Sequence, residues 1–475
     1  MFFTSPLFLF GFLPATLAAY YLAARVRHGH LAQWILILAS MVFYGYWNIP
    51  YLGLLLCSLS INFVVGKRLS AKPSRVLLSC GLIFNLSLLA YFKYADFAIE
   101  NFNAAFGQDV SLLHILLPLG ISFFTFQKIG YLVDCYRGLV DEHDPRRFML
   151  FVLFFPQLIA GPIVHHAEII PQLKRHQDRP VPNPMLIAQG LFFIVLGLFK
   201  KVLIADSIGA YADHGFSRVA DLTFVDSWTT ALAYSLQLFF DFSAYSEIAV
   251  GLALLFGIRL PQNFNSPYKA TSITDFWRRW HMTLGAFMRT YLYIPLGGNK
   301  GGIGTQMLAV VATMVIGGIW HGAAWTFVAW GALHALLLAI HKLWIKTGIR
   351  ITPSLAVAVT LMAVISAWVP FRATSIADSV TILRVMYGLD GIALPALYSL
   401  ISGGNWLPTA TNTVFHGHEI LWLILGVTWC LKMPNTYELW DKVTPSLRWA
   451  AGTGALGISV ALSLGAPTSF MYWSF

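Results

Sequence analysis

The segment Gly317-Gly318-Ile319-Trp320-His321-Gly322-Ala323-Ala324-Trp325 places one imidazole inside an apolar run from Met307 to Leu338. An ionisable group in such a run faces a cavity or a partner, and the small residues around it let a ligand or a second helix approach closely. An imidazole held there can act as a general base or as a nucleophile. The competing reading is a packing histidine hydrogen-bonded to a neighbouring helix. His334 and His341 follow on the same stretch and read as structural or interfacial.

A second segment, Asp275-Phe276-Trp277-Arg278-Arg279-Trp280-His281-Met282-Thr283-Leu284, mixes aromatics with cations and is too polar to cross a bilayer. It suits a helix lying at the cytoplasmic interface. Guanidinium pairs bidentately with phosphate, so Arg278 and Arg279 are candidates to hold the phosphates of a carrier such as coenzyme A, with Trp277 and Trp320 grouped beside them. The alternative is a basic anchor on anionic lipid. His281 is placed to turn inward for chemistry, or to remain an interfacial histidine.

The run from Tyr291 to Gly302 is a glycine-rich turn that lacks the Gly-Lys-Ser/Thr of a nucleotide-binding loop; it reads as a connection between membrane elements. Asp241-Phe242-Ser243-Ala244-Tyr245-Ser246-Glu247, with Gln237, sets carboxylates and hydroxyls between apolar runs. It either borders a chamber or caps a helix end. The sequence contains no Gly-x-Ser-x-Gly, no His-Glu-x-x-His and no Cys-x-x-Cys. His416, His418 and Glu419 are donors that could bind a metal, but they lie in a loop after the polar stretch Gly403 to Thr413, and no metal is expected.

These groups need elements to hold them, and the composition says which. Of the 475 residues 57% are hydrophobic and 11% charged, a balance that excludes a solvated globular surface. Apolar stretches of about twenty residues favour helices over the alternating ten-residue segments of a barrel. The expectation is an all-α polytopic membrane protein of roughly eleven to thirteen spans, forming one domain over residues 1–475. The net charge of +10 comes from short basic clusters between apolar runs, which fits topology rather than nucleic acid. Arg25 and Arg27, then Lys67, Arg68, Lys72 and Arg75 two spans later, agree on a cytoplasmic side and predict an N-terminus facing out. The charges follow the first apolar run, which reads as a span and not as a cleaved leader. Phe148 to Phe155 is too short to cross and runs into Pro156, Gly161 and Pro162, so a re-entrant or interfacial segment is expected, with protein or a cavity satisfying its backbone. Cys57, Cys80, Cys135 and Cys430 lack paired spacing and read as buried small hydrophobes.

Taken together, Phe155 to Pro162, Asp241 to Ser246, Pro261 to Tyr268, Phe276 to His281, Tyr291 to Asn299 and Trp320-His321-Gly322 resemble the membrane-bound O-acyltransferase family, in its bacterial alginate O-acetyltransferase branch. Ala244 stands where that branch is expected to carry glycine. The resemblance implies that His321 matches the essential intramembrane histidine and His281 the second motif histidine. It also implies a ring of helices with re-entrant elements around a central tunnel, and a bacterial inner-membrane location. Members of the branch pass acyl groups outward to a periplasmic partner resembling the SGNH hydrolases, which completes transfer to a polysaccharide.

The expected reaction therefore moves an acetyl group from acetyl-coenzyme A, a substrate and not a resident cofactor, to a secreted polysaccharide such as alginate or cellulose. His321 would act as base, and His281 would polarise the thioester or orient its carrier. Two alternatives stand beside it: D-alanyl or peptidoglycan O-acyl transfer on the same fold, and a non-enzymatic acyl or lipid carrier. The first shares His321; the second would move its ligand with the thioester intact. Membrane lipid is an expected partner and nucleic acid is not.

Overall fold

The computed structural model describes residues 1–25, 30–140, 143–175, 181–392, 418–464 and 470–471. The orientation argument at Arg27 and the metal reading at His416 and the His418 side chain fall outside the described residues.

All described regular structure is helical. In chain order the helices are α1 (Leu7–Arg25), α2 (His30–Gly45), α3 (Ile49–Ala71), α4 (Arg75–Phe106), α5 (Ile121–Tyr136), α6 (Pro145–Leu153), α7 (His166–Arg175), α8 (Pro184–Phe216) and α9 (Phe224–Leu255). They continue as α10 (Ile273–Arg279), α11 (Met282–Met288), α12 (Ile303–His321), α13 (Trp325–Thr347), α14 (Pro353–Arg372), α15 (Ile376–Met386), α16 (His418–Lys432), α17 (Thr436–Trp440) and α18 (Leu447–Ser463). Among the described residues eight helices are long and apolar enough to cross a membrane, namely α1, α3, α4, α8, α9, α12, α13 and α14. The protein is an all-α, multi-pass membrane protein.

Local chemistry sets many of the boundaries. Asn48 caps α3 by accepting from the Tyr51 amide at 3.0 Å, and Thr352 caps α14 just before Pro353. Both pair a side-chain cap with a proline in the first turn, where no amide donor is needed. Two boundaries differ from those the apolar runs suggest. Leu232 to Phe240 and Ile248 to Phe256, which read as separate runs, fall almost wholly within the single helix α9, because Asp241 to Glu247 continues the helix. Met307 to Leu338 is two helices, α12 and α13, broken at Gly322 to Ala324.

The chain folds as two compact units. The first comprises Met1–Phe199, Ser243–Asn263 and Thr436–Phe475. Here the nine-residue α6 ends at Leu153, too short to cross a bilayer, and the chain runs on through a buried, non-helical segment. Two of its donors are met by protein: the Phe155 amide donates to Ser40 Oγ at 3.1 Å and Gln157 Nε2 to the Phe151 carbonyl at 2.7 Å. Elsewhere in this unit Asn62 and Asn85 pair across α3 and α4, and the buried Lys128 donates to Ser58 Oγ at 2.6 Å. Asp134 Oδ2 receives His165 Nε2 at 2.6 Å and His166 Nε2 at 3.1 Å. The Ala167 amide donates to His165 Nδ1, which leaves Nε2 to donate to the carboxylate.

The second unit comprises Lys200–Phe242 and Phe264–Asn435. Its central device is the antiparallel pair α12 and α13, whose backbones meet at glycines. A Cβ on Gly331 would lie 2.5 Å from the Met314 carbonyl oxygen, and one on Gly318 would strike the Phe327 carbonyl. Only hydrogen fits at these two crossings.

The cysteine expectation is half corrected. Cys135 and Cys430 are buried, whereas Cys57 on α3 and Cys80 on α4 are exposed. In a spanning helix an apolar side chain is equally at home facing lipid, so hydrophobic surroundings in sequence do not imply burial.

Candidate functional site

The site is assembled in the second unit, beginning with α10. Ser272 caps this short helix by accepting from the Asp275 amide at 3.1 Å. Phe276 and Trp280 turn inward while Arg278 faces out. The segment does not continue as one interfacial helix: Trp280 becomes extended and His281 takes φ 44°, ψ 53° before α11 starts. A left-handed conformation at a non-glycine residue is disfavoured, and it is held here by the packing around it. The reversal drives the imidazole inward to 1% exposure, edge-on to Phe242 at 4.7 Å between ring centroids. Its elbow lies outside the eight spanning helices, and burial pushes its pKa down from 6.5 to about 3. His281 is therefore neutral at physiological pH.

His321 is the last residue of α12. Glycines on either side of it allow α13 to close against α12, and the ring, 4% exposed, is enclosed by aromatics. Trp320 lies 4.9 Å away, Trp330 5.1 Å and Phe371 5.1 Å, between ring centroids. Trp320 also lies 6.4 Å from His281, so one indole touches both motif histidines.

His321 forms part of the wall of a cavity of about 410 Å³. That volume falls within the range of about 300–1,000 Å³ typical of small-molecule pockets. Much of the wall is apolar, with Met282, Leu284, Met288, Val310 and Met314, while Arg278 and Arg289 contribute cations and are exposed. The arrangement is thus graded, from charge on its exposed side to a buried imidazole and indole.

Of the residues singled out from sequence, His321, Trp277 and Arg278 are on this wall. Trp320 and His281 stand behind it, joined to His321 through ring contacts. Arg279 points elsewhere: its Nε donates to Asp275 Oδ1 at 2.9 Å, and Nη1 reaches the Asn265 carbonyl. Its role in this geometry is to brace α10. Sequence reading missed Arg289, Tyr293, Thr313 and Trp330. The signal available for Arg289 was its place eight residues after His281, at the far end of the largely apolar stretch Met282 to Met288. Trp330 gave no signal, because a tryptophan in an apolar helix has the composition of any core residue.

His334, expected to be structural, is fully buried, and its Nδ1 accepts from Trp277 Nε1 at 3.3 Å. It steadies a wall residue. His341 meets Thr274 Oγ1 at 2.9 Å, fixing α10 to α13. The glycine-rich run forms a turn with Gly297 and Gly298 at positive φ, and only its first part, through Tyr293, reaches the cavity. Asp241 neither caps a helix end nor stands in solvent. It is within α9, and Lys201 bridges it to Asp206, at 2.7 Å from each. The buried Lys201 and Asp241 offset each other's charge, and the half-buried Asp206 adds a second carboxylate to the lysine.

A profile of the membrane-bound O-acyltransferase family matches residues 136–369, which contain both motif histidines. The chain is 43% identical to the peptidoglycan O-acetyltransferase of Helicobacter pylori, over 100% of this chain and 97% of that protein. It is 42% identical to the probable alginate O-acetylase of Pseudomonas aeruginosa, over 79% of this chain and 73% of that protein. A lesser similarity, 28% identity over 48% of this chain and 60% of the other, links it to the teichoic acid D-alanyltransferase of Bacillus subtilis.

Proposed function

Since the chain belongs to the membrane-bound O-acyltransferase family and is an O-acyltransferase, we propose that it moves an acetyl group from acetyl-coenzyme A, on the cytoplasmic side of the bacterial inner membrane, outward for O-acetylation of a secreted polysaccharide. In this reading the N-terminus faces the periplasm, and a periplasmic partner resembling the SGNH hydrolases completes delivery to an alginate- or cellulose-like polymer. Family membership sets aside the non-enzymatic carrier.

The observation that carries the reading is the cavity of about 410 Å³ with His321 on its buried wall and Arg278 and Arg289 on exposed parts of the same wall. The arginines suit the phosphates of the donor. The apolar stretch between them and the imidazole suits its thioester arm. At His321 the imidazole takes the proton of the acceptor hydroxyl, whose oxygen attacks the thioester carbonyl. The C–S bond then breaks and the thiolate recovers that proton. Such base catalysis is worth about a hundred- to ten-thousandfold. His281, neutral and behind Trp320, acts as a positioning residue.

A second acceptor, peptidoglycan, is favoured by one observation: the relative acting on it aligns with all of this chain. One experiment addresses both. Cells lacking the chromosomal copy receive either the wild-type chain or His321→Ala, and base-labile acetate is measured on purified secreted polysaccharide and on purified peptidoglycan. The acceptor is the polymer whose acetate returns with wild type, and His321→Ala is expected to lower that return at least a hundredfold. Full acetylation with His321→Ala would end the catalytic assignment.

A further inference from the structure

A base alone does not stabilise the charge that develops on the acyl oxygen, and donors aimed at that oxygen commonly supply the larger share of acceleration. The cavity wall offers few neutral donors, and most are committed. Thr313 Oγ1 donates to the Ala309 carbonyl at 2.6 Å, Tyr293 Oη to Asn299 Oδ1 at 2.7 Å, and Trp277 Nε1 to His334 Nδ1 at 3.3 Å.

Trp330 differs. It is 1% exposed, lines the cavity, and its Nε1 has no hydrogen-bond partner among the described residues. Leaving such a donor unsatisfied in an apolar interior is unfavourable, and structures rarely keep one without a use. The indole is held rigidly. It stacks on Trp368 at 5.7 Å and 18°, and meets His334 edge-on at 4.9 Å and Phe371 at 5.1 Å. Its ring centroid lies 5.1 Å from that of His321, at 84°. A fixed, dry donor beside the proposed base is what a developing oxyanion requires.

We propose that Trp330 is a catalytic residue, its indole N–H donating to the carbonyl oxygen of the bound acyl group. The proposal rests on the reading of His321 as base. As the hydroxyl oxygen bonds to the carbonyl carbon, its proton passes to His321 and the C=O π pair moves onto oxygen, where Trp330 Nε1–H receives it. The C=O then re-forms, the C–S pair leaves with sulfur, and the thiolate takes the proton back from His321. The indole stays protonated throughout. His334 and Trp368 are positioning residues for this donor.

The test uses the purified full chain in lipid vesicles with labelled acetyl-coenzyme A, measuring kcat and KM for acetyl release to water or to a hydroxyl acceptor. Two replacements at position 330 are compared: Trp330→Phe, and the analogue β-(3-benzothienyl)alanine, which exchanges N–H for sulfur in nearly the same shape. The expected result is a kcat lower by about a hundredfold or more in both, with KM within about threefold of wild type. The sulfur analogue retains the packing, so a purely structural role for Trp330 predicts that it keeps wild-type kcat; that result overturns the proposal, and it decides the matter if Trp330→Phe fails to fold. If His321→Ala is inactive while the analogue is fully active, only the role of Trp330 is lost. If His321→Ala retains wild-type turnover, the underlying reading of the base fails as well.

Discussion

Two histidines that stand out in the sequence on different grounds, His321 within an apolar run and His281 within a segment of aromatics and cations, also occupy different situations in the fold. His321 is on the cavity wall; His281 is packed behind Trp320 in a left-handed elbow. Burial holds the His281 pKa near 3, below the 6.5 of an exposed ring. Between those two values the unfolded chain binds one more proton than the folded one. This residue's contribution to stability is therefore complete above about pH 6.5 and declines as pH falls, by about 1.4 kcal/mol per pH unit. Melting in detergent should accordingly drop more steeply from pH 7 to pH 5 for wild type than for His281→Gln. Parallel curves would mean that the folded protein protonates His281 over that range. His321, His281 and Arg278 stand out in the sequence because an imidazole or a charge close to apolar runs is costly and therefore conspicuous. The sequence could not reveal Trp330, whose distinction is an indole N–H with no hydrogen-bond partner among the described residues, a property of surroundings and not of residue type.

At the scale of elements, the pairing of α12 with α13 fixes where His321 ends up. The apolar run from Met307 to Leu338 carries no strong helix breaker, so its division at Gly322 to Ala324 follows from backbone contact across the hairpin. Gly331→Ala would press a methyl against the Met314 carbonyl, a backbone atom that cannot swing aside. A loss of about 1–3 kcal/mol is expected, read as a lower melting temperature together with reduced turnover. Gly454→Ala in α18, where a Cβ meets nothing within 4 Å, serves as the contrast and should leave stability unchanged or raise it by up to about 1 kcal/mol. Equal effects at the two sites would show that close approach does not set this hairpin. The same logic explains the unbroken α9. Asp241 and Glu247 look like an interruption in sequence, yet the helix passes through them because Lys201 and Thr436 supply their partners.

Across the whole molecule, the exposed side chains of α3 and α4 are those of a surface facing lipid, with only 28% and 17% of their apolar windows buried. Cys57 and Cys80 are on that surface, Cys135 and Cys430 inside. A small apolar maleimide should thus modify two cysteines in the folded, detergent-solubilised protein and four after denaturation, counted by mass spectrometry. Modification of Cys135 or Cys430 in the folded state would contradict the packing described here. By itself the sequence determined the class of the protein, its multi-pass helical character and the presence of an apolar stretch, Phe148 to Phe155, too short to cross the bilayer. These follow from composition and local pattern, since bilayer thickness and the need to satisfy every backbone group leave few solutions. Only the tertiary structure decided that Arg278 shares a cavity with His321 while Arg279 is tied to Asp275, that Arg289 joins them, and that Trp330 holds an uncommitted donor beside the imidazole. Those outcomes depend on which partners remain after every other polar group has found one, and that allocation is made by contacts between segments distant in sequence.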